Sequence, residues 1–263
     1  MDAKAGLRAL LLFLVLTFAL NWPYLGSGFL ADEIIIFSAM EDDPRPFSRW
    51  TGVWSGDTGD LSWFGNPWWA ETDAIGSFFR PLASLVLEGG LGLFGRVAFP
   101  FHLLALLLHG AIAWLFWLIL RRMGAGAWLA GLAAVFWVAC EDHSMTVGFI
   151  SFITDPLAVF LLMLALLGHL AWLRERRPLA LAGSLVALAL SLGCKETAAV
   201  GPLMLLVTTF VFPDGTLESG VGVRPSELMG RFRTVLRDPL SWVPPALVLV
   251  LFLGMYKAMG LGG

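Results

Sequence analysis

The chain has 263 residues, of which 58% are hydrophobic and only 14% charged, and its mean hydropathy is +0.79. Because soluble domains are about one quarter charged, this composition excludes an ordinary soluble protein and indicates an all-α integral membrane protein. The formal net charge of −3 averages over both sides of a membrane, so the placement of basic residues is more informative than their number.

The first predicted element is a membrane span. Residues 7–25 form a largely apolar run of 19 residues with Lys4 and Arg8 at its N-terminal end, which is long enough to cross roughly 30 Å of hydrocarbon. A cleaved signal peptide is the alternative, but the run exceeds the usual apolar core of such peptides and no clear small-x-small cleavage site follows. We therefore expect an uncleaved span whose basic end stays in the cytoplasm.

Residues 26–97 are predicted to form a long first external loop that contains juxtamembrane helices. The loop is acidic, with ten Asp or Glu residues that include the adjacent Asp32 and Glu33. Its tryptophans are Trp50, Trp54, Trp63, Trp68 and Trp69. Indole rings are typical of an interfacial aromatic belt, and stacking against a sugar or lipid is the alternative. The run Pro81–Phe94 has 14 residues, which favours a helix along the outer surface over a span.

Six further apolar runs follow, at residues 101–120, 127–139, 157–173, 179–192, 198–212 and 242–259. The basic groups between them are Arg121 and Arg122, the cluster at residues 174–177, and Arg224, Arg231, Arg233 and Arg237. Under the positive-inside rule these groups are cytoplasmic. The sequence therefore predicts about seven transmembrane helices in a single module, residues 1–263. Residues 213–239 form a cytoplasmic loop in this prediction, and residues 140–155 and 193–196 lie outside.

Cysteine and histidine residues give no metal or disulfide pattern. Cys140 and Cys194 are too few for a disulfide framework, and two small apolar residues at helix ends are favoured over a bridge. His102 and His109 lie two helical turns apart on one face, where hydrogen-bonded interior side chains are favoured over a metal pair because no third ligand is in register. His169 is interpreted in the same way. No cofactor is assigned, and a divalent metal stays an open alternative.

Ionisable residues recur in every predicted external turn. Besides Asp32 and Glu33, the candidate site residues are Arg80, Asp142, His143, Asp155, Lys195 and Glu196. Charges at the margin of a bundle are usually solvated caps, but here they come from three separate turns, so one external pocket can collect them. Carboxylates suit general-base work, and Lys and Arg suit a phosphate group. The combination favours group transfer from a phosphorylated lipid.

Three segments in order resemble membrane glycosyltransferases of the GT-C fold, and most closely the bacterial dolichyl-phosphate-mannose-type and tetratricopeptide-linked mannosyltransferase-like proteins. They are "ADE" at residues 31–33, "FFRPLASLVLEGGLGLFGRVAFPFHLLALLLHG" at residues 78–110 and "CKETAAVGPLMLL" at residues 194–206. Residues 140–158 resemble the intervening His-Pro segment of the family, although Cys140 and Glu141 stand at the usual His-Pro position. The order of the segments is more specific than any one of them.

This resemblance implies that a sugar passes from a polyprenyl-phosphate donor to a protein, lipid or glycan acceptor. The reaction would take place on the external face of a bacterial inner membrane, and no nucleic acid takes part. Asp32 is the implied general base, with Glu33 as its neighbour in the motif.

Charge and topology assign the other roles. Arg80 and Lys195 are candidates for the lipid phosphate, and Asp155 and Glu196 for acceptor contact or orientation of the base. The pair Asp142 and His143 completes the set of substrate-binding candidates.

Proteins of this class are commonly longer, so the sequence is expected to be an N-terminal module. It is either a fragment or a minimal module that finds its remaining spans in a further membrane subunit. Two other functions stay open. One is a non-catalytic scaffold or assembly subunit, and the other is a transporter or flippase, which would place charges deep inside its spans.

Overall fold

The computed structural model describes residues 3–30, 80–140, 144–212 and 225–258. Over these ranges the chain forms α-helices and short 3-10 turns, without a strand, which confirms the predicted all-α class for this part of the chain. Four candidate site residues lie outside the described ranges, namely Asp32, Glu33, Asp142 and His143. The tryptophans of the first loop also lie outside them.

The α-helices in the described ranges are α1 (Ala3–Asn21), α2 (Pro81–Phe94), α3 (Phe99–Arg122), α4 (Ala127–Ala139), α5 (Ser144–Gly148), α6 (Thr154–Glu175), α7 (Pro178–Leu192), α8 (Gly201–Val211), α9 (Pro225–Arg237) and α10 (Val243–Ala258). Short 3-10 turns lie at Trp22–Gly26, Ile150–Ile153, Glu196–Val200 and Pro239–Ser241. The helices agree within a few residues with the apolar runs, because long apolar segments favour helix in a membrane.

Three helical segments are long and apolar enough to cross a membrane: Lys4–Gly26, Phe99–Arg122 and Thr154–Glu175. Four other predicted spans are shorter apolar helices, namely Ala127–Ala139, Pro178–Leu192, Glu196–Val211 and Val243–Ala258. At a rise of 1.5 Å per residue, the shortest of these reaches roughly 20 Å, less than the hydrocarbon core of about 30 Å. These three helices indicate a membrane-associated chain, and the count of seven spans stays a prediction.

Helices α6 and α7 form a close antiparallel hairpin. The Ser184 hydroxyl donates a hydrogen bond to the Ala165 carbonyl at 2.7 Å, and the Ser191 hydroxyl donates to the Ala158 carbonyl at 2.7 Å. A Cβ added to Gly168 would lie 3.2 Å from the backbone nitrogen of Ser184. Small residues let two helix backbones approach closely where no hydrophobic effect drives association.

Helix α3 runs parallel to α6. Near its end, Ile119 packs in one cluster with Leu170 of α6, whereas Phe101 near its start packs with Ile153, directly before α6. The starts of both helices and the end of α7 therefore lie at one end of the bundle. We call it the cluster end, after the cluster of charged side chains around Asp155 that is described below.

The opposite end of the bundle, here called the arginine end, carries the basic turns. Arg176, in the turn between α6 and α7, has a left-handed backbone (φ 52°), and its guanidinium forms an ion pair with Asp238, shortly before α10. Arg231 of α9 donates a hydrogen bond to the carbonyl of Val211, the last residue of α8, at 2.6 Å. The turns that the sequence predicts to be cytoplasmic therefore share one end.

Helix α2 lies across the cluster end. Its first turn contacts the end of α7, because the Leu82 amide donates to the Gly193 carbonyl at 2.9 Å. One helical turn further, Leu87 packs with Phe101 and Ile153 at the starts of α3 and α6. The buried side chains of α2 therefore contact the starts of α3 and α6 and the end of α7, which all lie at the cluster end. Residues 213–239, which were predicted to be a cytoplasmic loop, contain the helix Pro225–Arg237, which was not predicted.

Candidate functional site

Four of the predicted site residues come together at the cluster end. Arg80 immediately precedes α2, where Pro81 occupies the first helical position, a position at which proline's missing N–H costs nothing. Asp155 lies in the first turn of α6, where the helix dipole stabilises a carboxylate. Lys195 and Glu196 follow α7, at the start of a 3-10 turn. Arg80 and Asp155, which are far apart in the chain, thus lie close to the turn that contains Lys195 and Glu196.

Arg80 and Glu196 form a two-pronged ion pair. The Arg80 Nε atom donates to Glu196 Oε2 at 3.0 Å, and Arg80 Nη2 donates to Glu196 Oε1 at 2.6 Å. The two side chains are 12% and 32% exposed, so the pair is only partly screened by solvent. Burial by itself raises the pKa of Glu196, but the hydrogen bonds from Arg80, with the charges of Arg80 and Lys195, outweigh burial and hold that pKa below its ordinary value.

Lys195 and Asp155 form the second ion pair. The Lys195 Nζ atom lies 2.6 Å from each carboxylate oxygen of Asp155, and both side chains are mostly buried. Because Lys195 also contributes electrostatically to Glu196, the two pairs form one charged group. We call Arg80, Asp155, Lys195 and Glu196 the charged cluster.

Backbone and core contacts fix the position of the charged cluster. The Leu82 hydrogen bond to Gly193 holds the start of α2 beside the end of α7. Beneath it, Ala83, Ala158 and Cys194 pack together in a small buried core. The small side chains of this core allow the start of α2 to approach α6 and α7, which brings Arg80 within reach of Glu196.

An apolar groove of about 450 Å³ begins beside the charged cluster. It lies between α2, the last turns of α7, and α10. Its lining residues are Pro81, Leu82, Leu85, Ala189, Leu190, Leu192, Gly193, Val248, Leu251, Phe252 and Met255. Pro81 follows Arg80 in the chain, and Gly193 lies two residues before Lys195, so a molecule in the groove would have its end close to both cations.

The members of the charged cluster were predicted from the sequence, but the groove was not. The groove depends on α10, where the lining residues Val248, Leu251 and Met255 lie three and four residues apart. That spacing places them on one helix face. An apolar stripe at this spacing can be recognised in the sequence. The sequence does not show that the stripe faces α2 and α7.

Interior histidines are buried, as the sequence predicted. His102 Nδ1 lies 3.1 Å from the Val147 carbonyl. A carbonyl can only accept, so Nδ1 carries the proton, and Nε2 has no hydrogen-bond partner among the described residues. His169 Nε2 lies 2.7 Å from the hydroxyl of Thr209. That hydroxyl donates to the carbonyl of Leu205 and therefore accepts from His169.

Within the described ranges the cysteines form no disulfide and the metal-ligating side chains form no cluster. Cys140 and Cys194 are both free thiols, and burial raises the pKa of Cys194 to about 12. Within these ranges no group of three or more His, Cys, Asp or Glu side chains is arranged to hold a metal ion. The proposed base Asp32 and its neighbour Glu33, like Asp142 and His143, lie outside the described ranges, so their relation to the charged cluster stays a prediction.

A scan against protein-family models, a search of curated proteins and a search of solved structures each return no match for this chain. Membership of the GT-C class therefore stays a prediction from the quoted segments.

Proposed function

We propose that this chain is a membrane glycosyltransferase, or the membrane module of one, that takes its sugar from a polyprenyl-phosphate-linked donor. One observation carries the proposal: Arg80 directly precedes the lining residue Pro81, and Lys195 lies two residues after the lining residue Gly193, of an apolar groove between α2, α7 and α10. The groove suits an isoprenoid tail, and the two cations suit a phosphate at the end of that tail.

The chemistry of the two cations supports a phosphate ligand. A guanidinium presents its N–H groups as a planar fork that matches carboxylate and phosphate oxygens equally, and an ammonium acts as a compact point charge. Arg80 holds the two oxygens of Glu196 in this forked geometry. The phosphodiester of the donor could replace the carboxylate at the same donors, and the polyprenyl phosphate released by sugar transfer would carry more negative charge than either.

In the proposed reaction the acceptor oxygen or nitrogen attacks the first carbon of the donor sugar. The bond between that carbon and the phosphate oxygen breaks, and the bonding electrons leave with the polyprenyl phosphate, whose charge Arg80 and Lys195 stabilise. Asp32 takes the proton of the acceptor, with Glu33 beside it. Asp155 and Glu196 hold the cations in place before the donor binds.

The same proposal includes a topology and a location. About seven helices cross the bacterial inner membrane, α2 lies along the outer surface, and the charged cluster faces outwards. The arrangement of the basic turns supports this orientation, since Arg176 and Arg231 lie at the end opposite Asp155. Basic turns are retained on the cytoplasmic side.

A photoactivatable polyprenyl phosphate, with a diazirine in its tail, tests the donor site in proteoliposomes that contain the full chain. We expect labelling of α2, α7 or α10, and at least a tenfold loss of labelling with Arg80→Gln and Lys195→Gln combined, which corresponds to about 1.4 kcal/mol. The matched control is Arg174→Gln with Arg177→Gln, which removes two charges at the arginine end. Labelling that is equally strong with the uncharged polyprenol would contradict the proposal.

A sugar-transfer assay tests the catalytic part separately. Asp32→Asn removes the proposed base while keeping the size of the side chain, so we expect transfer to be lost while labelling by the donor analogue persists. Wild-type transfer rates in this variant would rule out Asp32 as the base without affecting the donor site.

A membrane scaffold is the second candidate, because each cation of the charged cluster already holds a carboxylate. In that case the ion pairs serve only to fix α2 against α6 and α7. The scaffold function predicts that the charge-removing variants lower thermal stability, while the wild-type protein shows no labelling that depends on the phosphate.

A further inference from the structure

Helix α9 presents an apolar stripe away from the rest of the described chain. Met229, Phe232 and Leu236 are 62%, 53% and 53% exposed. They are spaced three and four residues apart, so they lie on one face of the helix. Three large apolar side chains in a row on an exposed helix face mark a surface suited to contact with lipid or a protein partner.

The other faces of α9 have different characters. Val235 is buried, and Arg231 is hydrogen bonded to the end of α8, so this side contacts the bundle. Arg233 and Arg237 are exposed and lie four residues apart, on the flank of the apolar stripe that points away from the bundle. Around the circumference of the helix, the side that contacts the bundle is therefore followed by the apolar stripe and then by the basic flank.

The second half of α9 is anchored at the arginine end. Its middle residue, Arg231, is hydrogen bonded to Val211, the last residue of α8. Directly after its last residue, Asp238 pairs with Arg176 in the turn between α6 and α7. Because α8 ends at this level and α10 starts from it, α9 runs across the end of the bundle instead of along it. A helix in this position lies near the plane of the membrane surface.

We propose that α9 lies in the membrane surface at the arginine end, with Met229, Phe232 and Leu236 among the acyl chains and Arg233 and Arg237 on anionic lipid headgroups. An in-plane helix of this kind combines an apolar face with flanking Lys or Arg residues. The positive charge of Arg233 and Arg237 favours anionic lipids as the partner, since acidic headgroups attract basic residues near the membrane surface. The inference rests on α9 and its contacts at the arginine end and is independent of the proposed enzyme activity.

Depth measurements on the full chain in proteoliposomes test the position of the stripe. An environment-sensitive fluorophore is attached at Phe232→Cys in a Cys140→Ser background, and Cys194 stays unlabelled because its side chain is buried. The control is Thr234→Cys, which is also exposed but lies on another face of the same helix. Met229→Cys provides a second probe of the stripe if the Phe232 variant does not fold.

We expect a lipid carrying a spin label near its headgroup to quench the probes at 232 and 229, and aqueous iodide to quench the probe at 234. Equal iodide quenching at all three positions would overturn the inference. Protection of position 232 from both quenchers would also overturn it, because a protein surface and not lipid would then cover the stripe.

Lipid selectivity tests the role of the arginines. In vesicles of phosphatidylcholine with phosphatidylglycerol, the preference for spin-labelled phosphatidylglycerol should fall in the variant Arg233→Gln with Arg237→Gln, by up to about fivefold for each arginine. The control, Arg174→Gln with Arg177→Gln, removes the same charge from a neighbouring turn at the same end. An equal loss in both variants would overturn specific binding by α9.

Discussion

Arg80 and Glu196 are 116 residues apart in the chain, and their side chains meet through two hydrogen bonds. The contact joins the residue before α2 to the turn between α7 and α8. It therefore fixes the start of α2 beside the end of α7.

Removal of Arg80 should destabilise the protein. Arg80→Ala leaves the carboxylate of Glu196 partly buried without its forked donor, so we expect a loss of about 1 to 3 kcal/mol in stability, measured by thermal unfolding in detergent. Arg177→Ala is the control, because Arg177 and Glu175 are 76% and 43% exposed and such pairs contribute about 0 to 1 kcal/mol. Equal losses would show that the pair at the cluster end has no special role.

Acid should weaken the same contact. The pKa of Glu196 lies below its ordinary value, so the pair contributes fully above the pKa of an unfolded glutamate, about 4.3. The contribution is lost as the pH falls through the lower, folded pKa. Thermal unfolding between pH 7 and pH 3 measures this loss, and Glu196→Gln should respond less steeply to acid than the wild type. An identical slope in the two proteins would contradict the prediction.

Filling the groove should block the lipid tail and leave the charged cluster intact. Leu251→Trp places a large ring in the groove, so we expect labelling by the photoactivatable polyprenyl phosphate to fall several-fold while thermal stability changes little. Leu247→Trp is the matched control, since Leu247 is exposed on the same helix and does not line the groove. If both variants bind the probe like the wild type, the tail lies elsewhere.

The two cysteines should differ sharply in reactivity. Cys194 is fully buried against Ala83 and Ala158, and burial raises its pKa to about 12. Cys140 is only half-buried. Since the thiolate is the reactive form, iodoacetamide at pH 8 should modify Cys140 and spare Cys194 until the protein is unfolded in SDS. Peptide mapping by mass spectrometry reads both sites, and rapid modification of native Cys194 would contradict the packing of α2.

The close hairpin of α6 and α7 should not tolerate a side chain at Gly168. A Cβ there meets the Ala180 carbonyl at 3.1 Å and the Ser184 backbone at 3.2 Å, so Gly168→Val is expected to cost about 1 to 3 kcal/mol. Gly183→Val is the control, because a Cβ at Gly183 has nothing within 4 Å. Thermal unfolding of the two variants measures the difference, and similar midpoints would contradict the observed helix approach.

Several elements could be predicted from the sequence, and the reasons are local. The run at 127–139 coincides with α4, and the runs at 157–173 and 179–192 lie within α6 and α7, because an apolar segment in lipid must satisfy its own backbone hydrogen bonds. Helix α9 was missed since its composition is polar and basic. Its signal was the spacing of Met229, Phe232 and Leu236, which is helical and not loop-like.

The sequence predicted which residues form the candidate site, but not how they pair. Charge and topology singled out Arg80, Asp155, Lys195 and Glu196, but nothing in the order of residues says that Arg80 pairs with Glu196 and Lys195 with Asp155. That choice depends on the Leu82 hydrogen bond and on the small core beneath α2, which are tertiary contacts.

The groove beside the charged cluster is built from parts of the chain that are synthesised at different times. Its walls come from α2, from the end of α7 and from α10, whereas both ion pairs are complete once Glu196 has been made. A nascent chain that has not yet inserted α10 would therefore hold its two cations in place with one wall of the groove missing. If the groove holds the proposed polyprenyl phosphate, the chain can retain this lipid only after α10 has been synthesised and has packed against α2 and α7.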